Sequence, residues 1–366
     1  MKKFLRKDIK CVFIMLGSAC NFQCKYCLQH PLITEEITSK INPDTIDFLK
    51  ETSQSQKTPL RIQFYGGEPL LYWNNIVLIT EALQDCNCNF SIITNGGLLT
   101  RNKVEFLNKH KINVTISWDG INVEKTRCQD IFKNSTLKEC IFNLNTVCIS
   151  AVLSSYNYPL SIVEQIDKLN KEYIKYRKTN NLLPASLNIN MDEIMDTGLK
   201  AKYLTEVDYN RISEEMRTMC EHYKNQYQSN KEFNPFFVKF ISKYVNNMMN
   251  KDIKFSICRC GNGYNVLNLD LNGNLYRCHN THTKLGTIYN RYFSYLQNVI
   301  SYDDTKSFNA DCKNCCVQKL CRNGCPLMTN EVRKRYYCEM KRATLYPIFN
   351  MLMEHPFNQN KPSKNG

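Results

Sequence analysis

The sequence predicts an α/β fold, a partial (β/α)6 TIM-like barrel followed by a helical connector and a small cysteine-rich domain. Short apolar, β-branched runs alternate with amphipathic stretches over the first half of the chain, a rhythm typical of parallel strands with helices outside. Six such runs are present, fewer than the eight strands of a closed barrel, so we expect the barrel to stay open. Twelve of the 19 cysteines fall within residues 20–27 and 258–338.

The predicted elements of the barrel follow one another in the order strand, helix, strand. The strands are short β-branched runs, at Cys11–Leu16, Arg61–Phe64, Phe90–Thr94, Val114–Trp118, Thr146–Leu153 and Ser186–Asn190. The helices predicted between them include Pro43–Thr52, Trp73–Leu83 and Lys103–Lys109. Open α/β folds bind ligands outside the carboxyl ends of such strands, so residues that follow the strands are the first candidates for a site.

The second half of the chain changes character twice. Residues 201–255 are polar, rich in Tyr, Asn and Lys and mostly free of Gly and Pro, which indicates a helical connector. Further on, Asn272–Gly273 separates two short predicted strands, Tyr264–Leu269 and Leu275–Arg277, and Asn-Gly is a hairpin signal. We therefore divide the chain into a core at 1–200, a connector at 201–255, a cysteine-rich domain at 256–345, and a C-terminal helix and tail at 346–366.

Charge and hydropathy exclude several classes of protein. The net charge is +14, but the basic residues are spread along the chain without a block typical of a nucleic-acid arm, so we expect a solvated basic surface and no nucleic-acid partner. No apolar stretch approaches the about 18 residues of a membrane helix, and the run Val12–Leu16 is too short for a signal peptide. Clustered cysteines without an export signal favour the reducing cytoplasm.

Cys20, Cys24 and Cys27, here called the cysteine triad, are spaced Cys-x3-Cys-x2-Cys directly after the first predicted strand. Iron–sulfur clusters are normally held by four thiolates. Three thiolates in one tight loop can hold three irons of a 4Fe–4S cluster and leave the fourth iron open for catalysis, as catalytic zinc sites keep an open position. A zinc site lacking its fourth ligand, or coincidental core cysteines, would give the same spacing.

A second motif follows the second predicted strand, the sequence Gly66, Gly67, Glu68 and Pro69. Two glycines let a ligand approach the backbone closely, and Glu68 can accept hydrogen bonds from an ammonium group. The same residues could also form a plain turn at a strand end. Their position at the carboxyl end of a strand favours ligand binding.

The cysteine triad and this glycine segment together resemble the radical S-adenosylmethionine (SAM) superfamily. The resemblance implies that SAM chelates the open iron and that Gly66–Glu68 hold its methionine amine. It also implies that the reduced cluster cleaves SAM to a 5′-deoxyadenosyl radical, which abstracts hydrogen from the substrate. Further candidates for SAM contacts are Tyr26, Ser117 at the ribose and Arg127 at the carboxylate.

The C-terminal region carries an ordered array of seven cysteines, at Cys260, Cys278, Cys312, Cys315, Cys321, Cys325 and Cys338. A zinc ribbon is the main alternative, since Cys-x2-Cys is common to both kinds of site. One tetrahedral zinc uses four thiolates and would leave three cysteines unexplained. Two iron–sulfur clusters need eight ligands, and Cys258 supplies a possible eighth.

The array resembles the SPASM domain, the twin-cluster extension of peptide-modifying radical SAM enzymes. For the first auxiliary cluster the resemblance implies the ligands Cys260, Cys278 and Cys325, with Cys258 as a candidate fourth. For the second it implies Cys312, Cys315, Cys321 and Cys338. Because Cys258 lies only two positions before Cys260, the first cluster could instead keep an open iron. We thus expect three 4Fe–4S clusters and SAM as cofactors.

Enzymes of this architecture mostly modify ribosomally made peptides (RiPPs) or proteins, by cross-linking or oxidation under anaerobic conditions. We therefore expect a peptide or protein substrate and an external electron donor of the flavodoxin or ferredoxin type. A separate leader-peptide-binding protein is also possible, because the triad begins at Cys20 and leaves no room for such a domain before it. The candidates for acid–base chemistry are Asp119 and His279.

Three other functions compete with this interpretation. In sulfatase (formylglycine) maturases an Asp usually follows the cysteine matching Cys278, and here that residue is His279. A radical SAM enzyme acting on a small molecule or cofactor precursor is the second alternative. A zinc or electron-transfer protein is the third, and it leaves the glycine segment and the open triad unexplained. Iron content distinguishes this third alternative from the radical SAM interpretation, since three 4Fe–4S clusters predict about twelve irons per chain and a zinc protein predicts almost none.

Overall fold

The computed structural model describes residues 8–29, 40–195, 204–249, 263–281, 283–304, 312, 314–321, 324–325 and 328–354. Its strands are β1 Cys11–Met15, β2 Leu60–Tyr65, β3 Cys88–Thr94, β4 Asn113–Ser117, β5 Val147–Leu153, β6 Asn188–Glu193, β7 Val266–Asp270, β8 Asn274–Tyr276 and β9 Lys284–Thr287. They form one sheet in the order β6-β5-β4-β3-β2-β1-β7-β8-β9. Strands β1 to β7 are parallel to one another, whereas β8 pairs antiparallel with both β7 and β9.

The helices are α1 Pro43–Gln54, α2 Trp73–Ala82, α3 Arg101–Lys109, α4 Val123–Arg127, α5 Ser135–Phe142, α6 Pro159–Thr179, α7 Tyr209–Asn225, α8 Pro235–Met249, α9 Tyr292–Asp304, α10 Gln318–Cys321, α11 Asn330–Val332 and α12 Glu339–Glu354. A π-helical segment, Arg333–Cys338, joins α11 to α12. Shorter 3₁₀ turns lie at Pro69–Tyr72, Gly120–Asn122 and Ile131–Lys133. Among the described residues, no helix has both the length and the apolar composition needed to cross a bilayer.

The core lies between the sheet and the helices that cover it. Val12 and Ile14 of β1 are fully buried, as expected for central parallel strands covered by helices. The helices contribute one apolar face each: α3, for example, buries only Val104 and Leu107, which lie three residues apart and therefore on the same side of the helix.

The predicted open barrel is confirmed, because in the described part of the chain β6 and β9 end the sheet without pairing to each other. All six predicted barrel strands are present, with ends that differ by a few residues. The largest difference is in β6, which was expected to end at Asn190 and continues to Glu193. This charged end is accommodated because Lys341 of α12 forms an ion pair with Glu193, with both side chains largely buried.

The C-terminal part of the chain extends the barrel sheet. The predicted hairpin is present as β7 and β8, and the carboxylate of Asp270 fixes its turn by accepting hydrogen bonds from the backbone N–H groups of Asn272 and Asn274 and from the Tyr276 hydroxyl. Strand β7 then pairs in parallel with β1, a contact that sequence patterns did not predict. Helices α7 and α8 lie within the segment predicted as a helical connector, and α12 begins at Glu339.

Candidate functional site

A cavity of about 240 Å³ lies at the carboxyl ends of the barrel strands. The loops after β1, β2, β3 and β4 and the end of β6 all contribute to its wall. Nine residues predicted from the sequence line this one cavity, namely Cys20, Cys24, Tyr26, Cys27, Gly66, Gly67, Glu68, Ser117 and Arg127. The fold therefore brings the cysteine triad and the glycine segment together, although they lie in different loops.

The loop that carries the cysteine triad is held in place by backbone hydrogen bonds. The N–H of Cys27 donates to the carbonyl of Cys24 at 3.1 Å, and the N–H of Lys25 donates to the carbonyl of Thr126 in α4 at 2.9 Å. In the described residues, no three Cys, His, Asp or Glu side chains converge on a single metal ion. A 4Fe–4S cluster does not require such convergence, because it binds each thiolate to a different iron.

Electrostatics of the triad favour a bound cation. Burial raises the pKa of Cys24 to about 12, and the nearby charge of Arg127 lowers it only in part. Burial also raises the pKa of Cys20. The thiolate forms therefore need added positive charge, which a metal cluster supplies while it displaces the thiol protons. The donor set fits an iron–sulfur cluster.

The close approach that the two glycines permit is made by the chain's own backbone. A Cβ atom on Gly67 would lie 2.3 Å from the carbonyl oxygen of Ala19, and one on Gly66 would lie 2.5 Å from that of Gly17. The N–H of Gly67 donates to Gly17 at 3.0 Å, and the N–H of Glu68 donates to Ala19 at 2.8 Å. The glycine pair thus fixes the start of the cysteine loop and borders the cavity only with its main chain.

Glu68 is buried, and hydrogen bonds within the chain hold its carboxylate in place. One oxygen accepts from the N–H of Leu70 at 2.9 Å and from the hydroxyl of Thr94 at 2.6 Å, and the other accepts from the N–H of Asn95 at 2.8 Å. Burial raises the pKa of Glu68, and these hydrogen bonds lower it. An ionised carboxylate has about four acceptor positions, so Glu68 keeps room for one more donor from the cavity.

Tyr26 and Arg127 form one wall of the cavity as a stacked pair. The Arg127 guanidinium lies 5.2 Å from the centroid of the Tyr26 ring. Behind them, the buried carboxylate of Asp119 accepts a hydrogen bond from the Tyr26 hydroxyl at 2.6 Å and lies 3.0 Å from Nε of Arg127. The wall therefore presents a positive charge to the cavity, which suits an anionic group of a ligand.

Comparison with known families agrees with this geometry. Residues 14–197, half of the chain, match the family model described as the Radical SAM superfamily. The chain belongs to the radical SAM superfamily. The matched segment contains the whole cysteine triad, the glycine segment and the wall formed by Tyr26 and Arg127.

Curated relatives match mainly in this radical SAM core. The radical SAM cyclopropyl synthase TigE of Paramaledivibacter caminithermalis is 25% identical over 193 residues, which are 48% of this chain and 40% of TigE. A GTP 3′,8-cyclase of Staphylococcus epidermidis is 24% identical over 231 residues, 59% of this chain and 63% of the cyclase. The chain thus spans less than two thirds of these relatives. As radical SAM proteins of this kind are enzymes, this chain is an enzyme.

Solved structures share the fold over nearly the whole chain. The structure titled native anSMEcpe with bound AdoMet, which is SAM, has a TM-score of 0.64 and 19% identity, and the match covers 95% of this chain and 99% of anSMEcpe. Streptococcus suis SuiB bound to its precursor peptide SuiA has a TM-score of 0.58 and 19% identity, with 87% of this chain and 72% of SuiB covered. The shared fold therefore includes the C-terminal region of this radical SAM protein.

Neither of the two acid–base candidates is among the residues that line the cavity. Asp119 is fully buried behind Tyr26. His279 stacks on Phe13 with ring centroids 4.3 Å apart and meets Tyr65 edge-on at 4.5 Å. Burial lowers the pKa of His279 to about 4, so its ring is neutral at pH 7. Of the two aromatic rings packed on His279, Tyr65 lines the cavity.

The structure describes part of the predicted auxiliary-cluster ligands. Cys258 and Cys260 lie outside the described residues. Cys338 is the last residue of the π-helical segment. Burial raises the pKa of its thiol, and the nearby thiols of Cys312 and Cys315 raise that pKa further. Three of the four cysteines expected at the second auxiliary cluster are thus neighbours. The remaining described candidates are Cys278, Cys321 and Cys325.

Several residues of the cavity wall were not predicted from the sequence. Tyr65 donates a hydrogen bond to the side-chain oxygen of Asn280 at 3.1 Å, and both residues line the cavity. Val152, at the end of β5, and Glu193, at the end of β6, line it as well. Their positions at the carboxyl ends of predicted strands were the available signal, whereas Asn280 reaches the cavity only because β7 pairs with β1.

Proposed function

We propose that this radical SAM enzyme is a peptide maturase that acts on a ribosomally synthesised peptide or a protein. The extent of the fold likeness is the observation that supports it. The structure titled anSMEcpe with bound AdoMet and Kp18Cys peptide matches 94% of this chain and 98% of anSMEcpe, with a TM-score of 0.64. The likeness reaches beyond the SAM-binding core into the cysteine-rich region, where peptide-modifying members of the superfamily differ from others.

The cavity-wall residues predicted from the sequence each have a role in this proposal. The cysteine triad holds a 4Fe–4S cluster, and Glu68 accepts a hydrogen bond from the amino group of SAM beside the glycine backbone. Ser117 contacts the ribose, Arg127 pairs with the carboxylate, and the ring of Tyr26 packs against the Arg127 guanidinium. When bound, the cluster and SAM supply a 5′-deoxyadenosyl radical, which abstracts hydrogen from the peptide and leads to a cross-link or an oxidation.

The C-terminal cysteines hold two auxiliary clusters in the same proposal, as a SPASM domain does. The first takes Cys260, Cys278 and Cys325, with Cys258 as the candidate fourth ligand, and the second takes Cys312, Cys315, Cys321 and Cys338. Expected partners in the cytoplasm are an electron donor of the flavodoxin or ferredoxin type and a protein that binds the leader peptide.

The first test is release of 5′-deoxyadenosine by anaerobically reconstituted protein given SAM and a strong reductant. We expect the nucleoside from the wild type and none from Cys24→Ala. Cys220→Ala is the matched control, because Cys220 is buried in α7 and has no role at the cavity. Equal release by wild type and Cys24→Ala would refute the assignment of the triad. Release that rises when a candidate peptide is added, together with a mass change in that peptide, would support the substrate class.

Iron content tests the auxiliary clusters separately. We expect about twelve irons per chain in the wild type and about eight in the Cys315→Ala/Cys338→Ala variant. Cys316→Ala is the control, because Cys316 adjoins Cys315 in sequence, is exposed and is not assigned as a ligand. About four irons in the wild type, with zinc in place of the remainder, would show that the C-terminal array is a zinc site.

A further inference from the structure

Asp119 gathers groups from three separate parts of the chain around one buried carboxylate. One oxygen accepts hydrogen bonds from the hydroxyls of Tyr26 at 2.6 Å and Thr126 at 2.7 Å. The other accepts from the N–H of Val152 at 3.0 Å and lies 3.0 Å from Nε of Arg127. The cysteine loop, α4 and β5 thus meet at this side chain, which is 0% exposed.

Arg127 is a largely buried cation that pairs with Asp119 at the cavity wall. Its side chain is about nine-tenths buried and lines the cavity. Its Nε is buried and lies 3.0 Å from an oxygen of Asp119, which makes Asp119 its counter-ion. Buried charges normally need both a counter-ion and hydrogen bonds. Because the Arg127 side chain also lines the cavity, it can pair with an anionic group that enters there.

Two of the contacts that Asp119 makes link the position of Tyr26 to that of Arg127. The Tyr26 hydroxyl binds one oxygen of the carboxylate, Arg127 pairs with the other, and the guanidinium also lies over the Tyr26 ring. Movement of either side chain would break a contact of the other. Because Tyr26 lies between Cys24 and Cys27, the same carboxylate relates the guanidinium to the loop of the cysteine triad.

We propose that Asp119 is a positioning residue that holds Tyr26 and Arg127 as one unit, so that Arg127 is preorganised to bind the carboxylate of SAM. This inference rests on the proposed function, since it assumes that SAM occupies the cavity. Asp119 touches neither the cavity nor the ligand, and it acts through the two residues in front of it. Its effect is therefore expected on SAM affinity at an intact cluster.

The test measures the Kd for SAM by equilibrium dialysis of anaerobically reconstituted protein, with iron content determined in parallel. Asp119→Asn keeps the shape of the side chain and removes its charge. We expect its Kd to rise about tenfold at unchanged iron content, the size of a lost charge-assisted contact. Asp119→Asn/Arg127→Lys should bind no more weakly than Arg127→Lys alone, because residues that act through one another are not additive.

A matched control separates positioning from general stabilisation. Asp167 is also buried, accepts a hydrogen bond from Asn234 at 3.0 Å and pairs with Lys171, but it lies on α6 away from the cavity. Asp167→Asn should therefore leave the Kd for SAM unchanged. If Asp119→Asn does not retain iron, Tyr26→Phe removes only the hydroxyl contact and should raise Kd about threefold.

Two outcomes would overturn the proposal. The first is a wild-type Kd for SAM in iron-replete Asp119→Asn or, where that variant loses iron, in Tyr26→Phe. The second is a double variant whose loss equals the product of the two single losses, which would show that Asp119 and Arg127 act independently. A wild-type protein that holds its iron but binds no SAM would instead refute the proposed function on which the inference rests.

Discussion

His279 shows how one residue can be shaped by neighbours that are distant in sequence. Its ring is stacked against Phe13 of β1 and packed edge-on to Tyr65 of β2, and its Nδ1 lies 3.1 Å from the side-chain oxygen of Asn268 in β7. None of these contacts could be inferred from the position of His279 after Cys278. The aromatic surroundings disfavour the charged ring, so burial lowers the pKa of His279 to about 4.

This environment predicts a loss of stability in acid. Between pH 6.5 and pH 4 the unfolded chain protonates His279 while the folded chain does not, so lowering the pH favours unfolding. The contribution reaches up to about 2 kcal/mol by pH 5, reduced where water reaches the ring. We expect the fall in Tm from pH 7 to pH 5 to be smaller in His279→Phe than in the wild type. An equal fall in Tm in both proteins would contradict the conclusion that His279 is buried and neutral in the folded state.

At the residue scale, sequence alone predicted nine of the residues that line the cavity but not how their side chains are supported. Cysteine spacing and the glycine segment indicated candidate ligand-binding loops, because iron–sulfur chemistry calls for clustered thiolates and close backbone approach calls for glycine. The hydrogen bonds that Glu68 accepts from Thr94 and Asn95 were not predictable, because they depend on how closely the ends of β2 and β3 lie.

At the scale of elements, the loops after β1 and β2 pack against each other without space for side chains between them. The carbonyl of Ala19 occupies the position where a Cβ of residue 67 would be, at 2.3 Å, and backbone hydrogen bonds continue from the strands into the loops. The order of the cysteine loop therefore depends on the glycine segment, and the two motifs of the sequence form one structural unit.

Gly67→Ala should consequently displace the cysteine loop. We expect a lower Tm and a loss of about four irons per chain, because the triad no longer keeps its geometry. Gly286→Ala is the matched control, since the nearest atom to its added methyl is the side-chain oxygen of Asn290 at 3.2 Å, which can move. Full iron content in Gly67→Ala would show that the loop tolerates the shift.

Prediction of the elements succeeded where periodicity was local and failed where tertiary contacts decided the outcome. The barrel strands and the Asn272–Gly273 hairpin were predictable from apolar runs and turn residues. The extension of β6 through Glu193 was not, because its charge is balanced by Lys341 of a helix far along the chain. The pairing of β7 with β1 was not predictable either, because it joins strands that lie about 250 residues apart in the sequence.

At the scale of the whole molecule, the sheet and α12 tie the C-terminal region to the barrel at two places. Strand β7 pairs with β1 in the middle of the sheet. At the other end, the backbone N–H of Ile194 donates to the Tyr336 hydroxyl at 3.3 Å, and Lys341 pairs with Glu193. The sheet and these side-chain contacts therefore join the C-terminal region to the barrel.

The ion pair between β6 and α12 provides a test of this connection. Lys341→Met removes the counter-charge of the buried Glu193 carboxylate, and we expect stability to fall by about 3 kcal/mol. The Glu193→Gln/Lys341→Met variant should recover most of that loss, because no buried charge is left. Lys133→Met, which breaks the exposed pair with Glu124, should leave the Tm almost unchanged, because exposed ion pairs contribute little to stability. Equal Tm values for Lys341→Met and wild type would argue against the link.

The central position of β1 also bears on how the protein is made. Its partner β7 is synthesised about 250 residues later, which at ribosomal speeds of about 5–20 residues per second is a delay of roughly ten seconds to a minute. Until then the nascent barrel exposes an apolar strand edge beside the cysteine loop, and such edges are prone to aggregate. Production of the enzyme should therefore depend on chaperones and translation rate more than its final stability would suggest.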